Sequence, residues 1–414
     1  MKKMILLYIA IVMISTSCSL GPDLFKSNDP EVKNWELIKS SAKNSTVTMA
    51  LQHSNPMAVE WFKKNYATYL ESEYGMKLIV VEQTLAKTME VLEDDLRNEL
   101  EIGRYDLIVF EVGGFKRAAE RGLLYMPFTD KIPNMRAYVD SGNVEFKYKD
   151  GIEVKDSLAP YGRKQLYFAY DQDIFYETPA TYDELLEYVK EYKNAFVYPD
   201  PRTSIEGELF VVGVATRAAD MDRLMTVEPN KEAVYAIIGN GLDFLNELEP
   251  HMYLKGAYYP TSTEEMDELF AQGELVFSMN LDFEYVTNKL KDYEYPEGAS
   301  AFIIQEGTMG LNEWIGIPYN APNKSGAMAA VNALLSPEMQ GSKYEPRNWG
   351  NLPVYDPGYA DSEAYDVIKS VKMKSTSLKH DALLGSRRPE VPEAVREIIV
   401  ELWSEHVLNP PIGD

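Results

Sequence analysis

This sequence predicts an α/β fold made of two successive βα runs. Three observations predict it. Strand and helix patterns alternate from Thr46 to Gly122, the pattern is lost from Tyr125 to Pro160, and it resumes at Tyr161. Such alternation implies a parallel sheet with right-handed crossovers. The most regular stretch, Thr261 to Gly341, reads as helix, strand, helix, strand, strand, helix.

The elements follow in order. Val47, Met49 and Leu51 alternate with Thr48 and Ala50, the period of a strand. Asn55-Pro56 supplies a cap and a proline at the first helical position, opening a helix to Glu73. Leu78 to Val81 is a buried strand, Thr84 caps a helix to Glu101, and Asp106 to Phe110 is a third strand. Phe115 to Arg121 is a short helix closed by Gly122. Prolines, asparagines and charges fill residues 125–160, and a loop that long is functional or lies at a domain junction. Leu166 to Tyr170 is a strand, Thr181 caps a helix through Tyr192, and Ala195 to Tyr198 is a strand. Ser204 and Asn230 cap two more helices, the second with a break at Gly239-Asn240-Gly241. Ser262 and Glu265 then form a capping box, and Leu275 to Met279 is a buried strand. Ala327, Ala330, Val331, Leu334 and Leu335 mark one helical face, and helices near 361–372 and 390–407 follow.

Composition narrows the function. The chain has 414 residues, 45% hydrophobic and 12% aromatic, enough for substantial cores, and a formal net charge of -24. That charge opposes nucleic acid, whose binding needs a basic footprint, and anionic lipid surfaces. It serves solubility, and it also suits an acidic environment that attracts cationic solutes. The one cysteine, Cys18, excludes a disulfide framework and a cysteine-rich zinc site. Lys2-Lys3, the apolar run Met4 to Ile14 and Ser15-Thr16-Ser17-Cys18 read as a secretion signal. It resembles the lipobox of bacterial lipoproteins, in which the cysteine is lipidated and becomes the new N-terminus. Ser15 departs from the larger aliphatic residue usual there.

Most familiar chemistry is missing. GxxxxGK[ST], GxGxxG, GxSxG and HExxH do not occur, and there are four histidines. No cofactor and no metal site is expected. His53 alone stands out, just past the first strand, where open α/β sheets bind ligands.

At Pro160-Tyr161-Gly162-Arg163-Lys164-Gln165-Leu166-Tyr167-Phe168-Ala169-Tyr170-Asp171 the sequence resembles the extracellular solute-binding proteins of ABC importers. Within them it is similar to the YnjB-type branch, related to the spermidine- and thiamine-binding proteins. Ile132-Pro133-Asn134, Tyr198-Pro199 with Gly207 and Phe210, Pro260-Thr261-Ser262 with Leu269 to Glu274, Ile317 to Asn320, Leu334 to Glu338 and Trp349-Gly350 agree in order. The resemblance implies a two-lobed periplasmic-binding-protein-like fold, with the ligand cleft between lobes and crossing hinge strands. It places lobe 1 at 46–160 plus 283–345 and lobe 2 at 161–282 plus 350–414, after a signal at 1–18 and a tether at 19–45. The segment from Asn351 to Pro357 is expected to cross between lobes.

Such a cleft lies at the C-terminal ends of strands and at the crossings. The candidate ligand-binding residues are His53, Glu111, Tyr161, Gln165, Glu206, Asn280, Asp282, Glu313 and Trp314, with Asn280 to Glu284 and Gly307 to Trp314 as irregular contact segments. The family tends to have Asn-Gly after the third strand and Asn-Pro after the return strand. Here Glu111-Val112-Gly113-Gly114 and Asn280-Leu281-Asp282 stand instead, and both changes add carboxylates. Together these residues suggest an acidic, aromatic cleft for an organic cation, since ring faces attract cations, while an anion stays open because Ser204 to Gly207 and the Gly113-Gly114 loop can present backbone N–H groups. The resemblance further implies no enzyme activity, a small-molecule solute, ABC permease subunits as partners, a membrane anchor on Cys18, an extracytoplasmic location and a monomer. The competing readings are a secreted carboxylate-dependent hydrolase and a surface lipoprotein that senses or adheres.

Overall fold

The computed structural model describes residues 34–374 and 376–408. The signal at 1–18, Cys18 and the tether up to residue 33 lie outside the described residues. Two sheets carry the molecule. The larger has strand order β11-β10-β3-β1-β2, with β6 pairing to β10, and the smaller has order β8-β7-β9. In chain order β1 is Thr46–Leu51, β2 Lys77–Glu82, β3 Leu107–Phe110, β4 Tyr148–Lys149, β5 Ile152–Glu153, β6 Leu158–Gln165, β7 Tyr167–Asp171, β8 Phe277–Asn280, β9 Ala299–Phe302, β10 Thr308–Gly316 and β11 Arg387–Arg388. β4 and β5 form a separate hairpin.

The expected β1, β2 and β3 form, and β1 pairs in parallel with both neighbours. Asn55 Oδ1 accepts from Met57 N–H and Pro56 starts the helix, as the sequence implies. That helix runs Pro56–Trp61, passes through a π-turn over Phe62–Tyr66 and ends at Tyr74. Ser262 Oγ accepts from Glu265 N–H at 3.3 Å, capping the helix Thr263–Ala271. Lys231–Leu248 is one unbroken helix, so the glycine pair does not break it. Ala195 to Tyr198 is not a strand; Phe196, Val197 and Tyr198 are buried loop residues of the second core.

The core is divided in two, one cluster for each lobe. Trp61, Phe110, Trp314 and Val331 belong to the first, and Phe168, Phe210, Phe277 and Trp403 to the second. The allocation differs from the expected boundaries. Leu352, Val354, Tyr355, Tyr365 and Leu383 pack in the first core, and only from Val391 onward does the chain join the second. The last crossing therefore falls between Leu383 and Val391, not at Asn351 to Pro357. Conversely, Val286, Tyr295 and Phe302 pack in the second core because β9 pairs with β7.

The expected irregular segment Gly307 to Trp314 is, from Thr308 on, part of strand β10. That strand runs antiparallel to β6 from Gly310↔Gln165 to Gly316↔Leu158, with one bulge at Glu313/Trp314. β10 runs through both lobes, with Trp314 in the first core and Leu311 in the second, and β6 leads from Tyr161 in the first core to Leu166 of the second just past its end. Arg387 locks this junction. Its guanidinium donates to Lys164 O on β6, to Leu311 O and Asn312 Oδ1 on β10, and to Glu145.

Candidate functional site

Four strands bring the site together. β1 and β3 are parallel neighbours, so the loops after them, His53-Ser54-Asn55 and Glu111, lie side by side. β10 runs against β3 with Trp314↔Phe110, which places Glu313 beyond the end of β3. β6 runs against β10 with Leu311↔Lys164, which brings Lys164 beside them. Asp282 arrives from the loop after β8.

Lys164 is at the centre and only 5% exposed. Its ammonium lies 2.6 Å from Glu111 Oε1, 2.9 Å from Ser54 Oγ, 3.1 Å from Asp282 Oδ1 and 3.9 Å from Glu313 Oε1. Ser54 N–H donates to Glu111 Oε2 at 2.9 Å, and Ser54 Oγ donates to Glu111 Oε1. Asn55 Nδ2 donates to Asp282 Oδ2 at 3.1 Å. Beneath them Asn55 N–H donates to His53 Nδ1 at 3.0 Å, which leaves Nε2 to donate to Glu313 Oε1 at 2.8 Å. Asn351 Nδ2 donates to Glu313 Oε2 at 2.6 Å, and Lys343 Nζ donates to Asn351 Oδ1 at 2.7 Å. Gly162 must lack a side chain, because a Cβ there would strike Glu313 Oε2 and Asn351 Oδ1.

Burial would raise the pKa of Glu111, but the His53 ring and the Lys164 charge outweigh it and hold that carboxyl down at about 2. Glu313 is also kept below the usual range: burial opposes ionisation, and His53 and Lys164 reverse it. Burial pulls the Lys164 pKa down, but Asp282, Glu111 and Glu313 drive it above the ordinary lysine value. Lys164 therefore stays protonated and cannot serve as a base, although its Nζ lies 2.9 Å from a serine hydroxyl. Burial pushes Lys343 well below its ordinary value.

Above this floor lies a cavity of about 880 Å³. Gln52, Asn55, Met57, Leu85 and Glu111 line it from the first lobe, and Ser204, Glu206, Thr263, Glu264, Asn280 and Tyr285 from the second. Five carboxylates line it (Glu111, Glu206, Glu264, Asp282 and Asp292) against two lysines, Lys164 and Lys291. Two helices begin in its wall, Ile205–Ala215 capped by Ser204 and Thr263–Ala271 capped by Ser262.

Of the residues expected in a cleft, Glu111, Glu206, Asn280 and Asp282 line the cavity. His53 and Glu313 lie beneath it as the paired support of the floor. Three expected residues are not in its wall. Tyr161 is fully buried, edge-on to Phe62. Gln165 is buried, its Nε2 donating to Thr308 Oγ1 at 3.1 Å. Trp314 packs edge-on against Phe146, because strand alternation turns Leu311 and Glu313 toward the site and Trp314 away from it. The aromatic wall comes instead from Tyr285. Sequence reasoning missed Lys164, Ser54 and Asn55. The available signal was the row Arg163-Lys164-Gln165, three polar residues in a strand that is buried throughout.

One nitrogen of His53 and one oxygen each of Glu111 and Glu313 lie within 4.8 Å of one another, the one group among the described residues that could hold a metal ion. No described helix is long and apolar enough to cross a membrane.

Two α/β lobes joined by through-running strands, with a polar cavity between them, define a cleft-type solute-binding protein. The chain matches the family described as bacterial extracellular solute-binding protein over residues 65–366, and it belongs to that family. It is a transport receptor rather than an enzyme, so the hydrolase reading falls. Protein YnjB of Escherichia coli (strain K12) is 25% identical over 329 residues, 78% of this chain and 83% of that protein. Among solved structures, Ferric iron-Binding Protein A of Mannheimia haemolytica in an open conformation has a TM-score of 0.56 at 15% identity, covering 87% of this chain and 99% of that one. The Spermidine/Putrescine ABC Transporter Substrate-Binding Protein PotD of Streptococcus pneumoniae has a TM-score of 0.55 at 15% identity, covering 87% and 100%.

Proposed function

We propose that this chain is the lipid-anchored substrate-binding component of an ABC-type import system, and that it captures a small organic cation between its lobes by hinge closure. One observation carries the choice of a cation: five carboxylates face two lysines in the cavity wall. Glu111 and Asp282 already hold Lys164, so the ligand's charge rests against Glu206 and Glu264, with the Tyr285 ring beside it. Asn280 and Asn55 supply hydrogen bonds, and His53 and Glu313 keep the floor in place. The fold-level likeness to a protein named for spermidine and putrescine agrees with this choice. A likeness to a protein named for ferric iron raises a metal as the other ligand class, and the floor argues against it. The lobes close because ligand favours the closed form through its differential affinity.

The anchor rests on Lys2-Lys3, the apolar run to Ile14 and Cys18. A diacylated cysteine holds a protein firmly, since each buried methylene adds about 0.8 kcal/mol. The partners are then the permease subunits of the importer and the membrane through Cys18, and the receptor acts as a monomer. Titration calorimetry with spermidine, thiamine, maltose and inorganic phosphate tests the ligand class. A cation binds and the others do not; tight binding of maltose or phosphate with no cation bound overturns the reading. Replacing Cys18 with Ser releases the protein from the membrane fraction, and retention of that variant overturns the anchor.

A further inference from the structure

The floor of the cleft carries a donor set that shares a carboxylate with its own lysine. An imidazole and two carboxylates converge to within 4.8 Å, and Asp282 adds a third carboxylate 3.1 Å from Lys164 Nζ. Metal–ligand bonds of about 2.0–2.2 Å need donor atoms about 3–4.4 Å apart, so this group would have to draw together to hold an ion. One nitrogen and several carboxylate oxygens suit Mn2+, Fe2+ or Zn2+, once the His53 tautomer switches so that Nε2 presents its lone pair and Nδ1 gives up the Asn55 N–H.

We propose that Lys164 is the specificity-determining residue of this floor: its ammonium, bonded to Glu111 and 3.9 Å from Glu313, is a built-in cation that takes up the carboxylates a metal held by His53, Glu111 and Glu313 would need, and it bars divalent ions from the cleft. The proposal rests on the cleft being the ligand site and adds which solutes it refuses. Three features support it. An ammonium has three donors, and here they go to Ser54 Oγ, Glu111 Oε1 and Asp282 Oδ1, so its position is fully specified. A divalent ion between the same oxygens would sit within contact distance of that ammonium, in a buried place where like charges repel strongly. The lysine's backbone is held in place. The residue is 5% exposed, and Arg387 donates to its carbonyl oxygen, pinning β6 where the side chain leaves it.

The full chain is titrated calorimetrically with MnCl2 and ZnCl2, as wild type and as Lys164→Met and Lys164→Gln, each also refolded with Mn2+ present. The wild type binds no metal through His53. Each neutral variant gains one Mn2+ site per chain, and adding His53→Ala removes it. The proposal is overturned if the wild type binds metal and His53→Ala abolishes that binding, or if the folded variants bind none. It is also overturned if neither variant folds even with Mn2+, since the metal then cannot replace the ammonium. These readouts involve no organic solute. A protein that behaves as expected toward metals yet binds no organic cation keeps this inference and loses the solute reading.

Discussion

His53 Nε2 donates to Glu313 Oε1 across 2.8 Å, joining the loop after β1 to a strand that runs through both lobes. The pair is buried and completed by Asn55 N–H on one side and Asn351 Nδ2 on the other. Removing the imidazole leaves the buried Glu313 carboxylate without its His53 N–H donor. His53→Ala is expected to destabilise the fold by about 3 kcal/mol. Urea unfolding measures it, and a loss under about 0.5 kcal/mol would mean that the pair is not structurally important.

Glu111 gives a pH signature. Its folded pKa of about 2 lies below the unfolded value of about 4.3, so its contribution is complete above pH 4.3 and is lost as pH falls toward 2. That contribution is about 3 kcal/mol at neutral pH. The stability gap between wild type and Glu111→Gln should therefore be largest at neutral pH and shrink below pH 4. A gap that stays constant from pH 6 to pH 2.5 contradicts this assignment.

Gly162 lies where any Cβ would enter the Glu313–Asn351 contact. Gly162→Ala should cost about 1–3 kcal/mol by overpacking and should weaken ligand binding as the floor shifts. An unchanged melting temperature together with unchanged affinity would show that the contact gives way freely.

Glu206 and Glu264 face the cavity from the first turns of two helices, and neither forms an ion pair among the described residues. Replacing both with Gln should weaken spermidine binding about 10- to 100-fold, the worth of one or two charge-assisted hydrogen bonds. Stability should stay within about 0.5 kcal/mol of wild type. Undiminished spermidine affinity would remove these carboxylates from the site.

The first three strands were legible because their signals are local. Val47 to Leu51, Leu78 to Val81 and Leu107 to Phe110 each carry a strand pattern in a few residues, and each forms its strand. Glu111 and Asp282 were legible for the same reason, as carboxylates just after strands. Lys164 was not. A lysine becomes a buried charge only when Glu111, Asp282 and Glu313 meet it, and those partners come from three distant segments. Tyr161 and Trp314 misled because an aromatic beside a crossing looks the same in sequence whether it faces the cleft or the core. The strand pairing that decides between them, β6 against β10, joins residues some 150 positions apart.

The order β2-β1-β3-β10 means that the first sheet borrows a strand from late in the chain. As the chain is made, the amino-terminal lobe cannot close its sheet until residue 316 has emerged, by which time most of the second lobe has emerged too. The early strands must wait with β3 unpaired on one side, an edge open to other chains. A receptor built this way assembles both halves in one late event. A chain cut short before β10 should therefore fail as a whole rather than leave one working lobe.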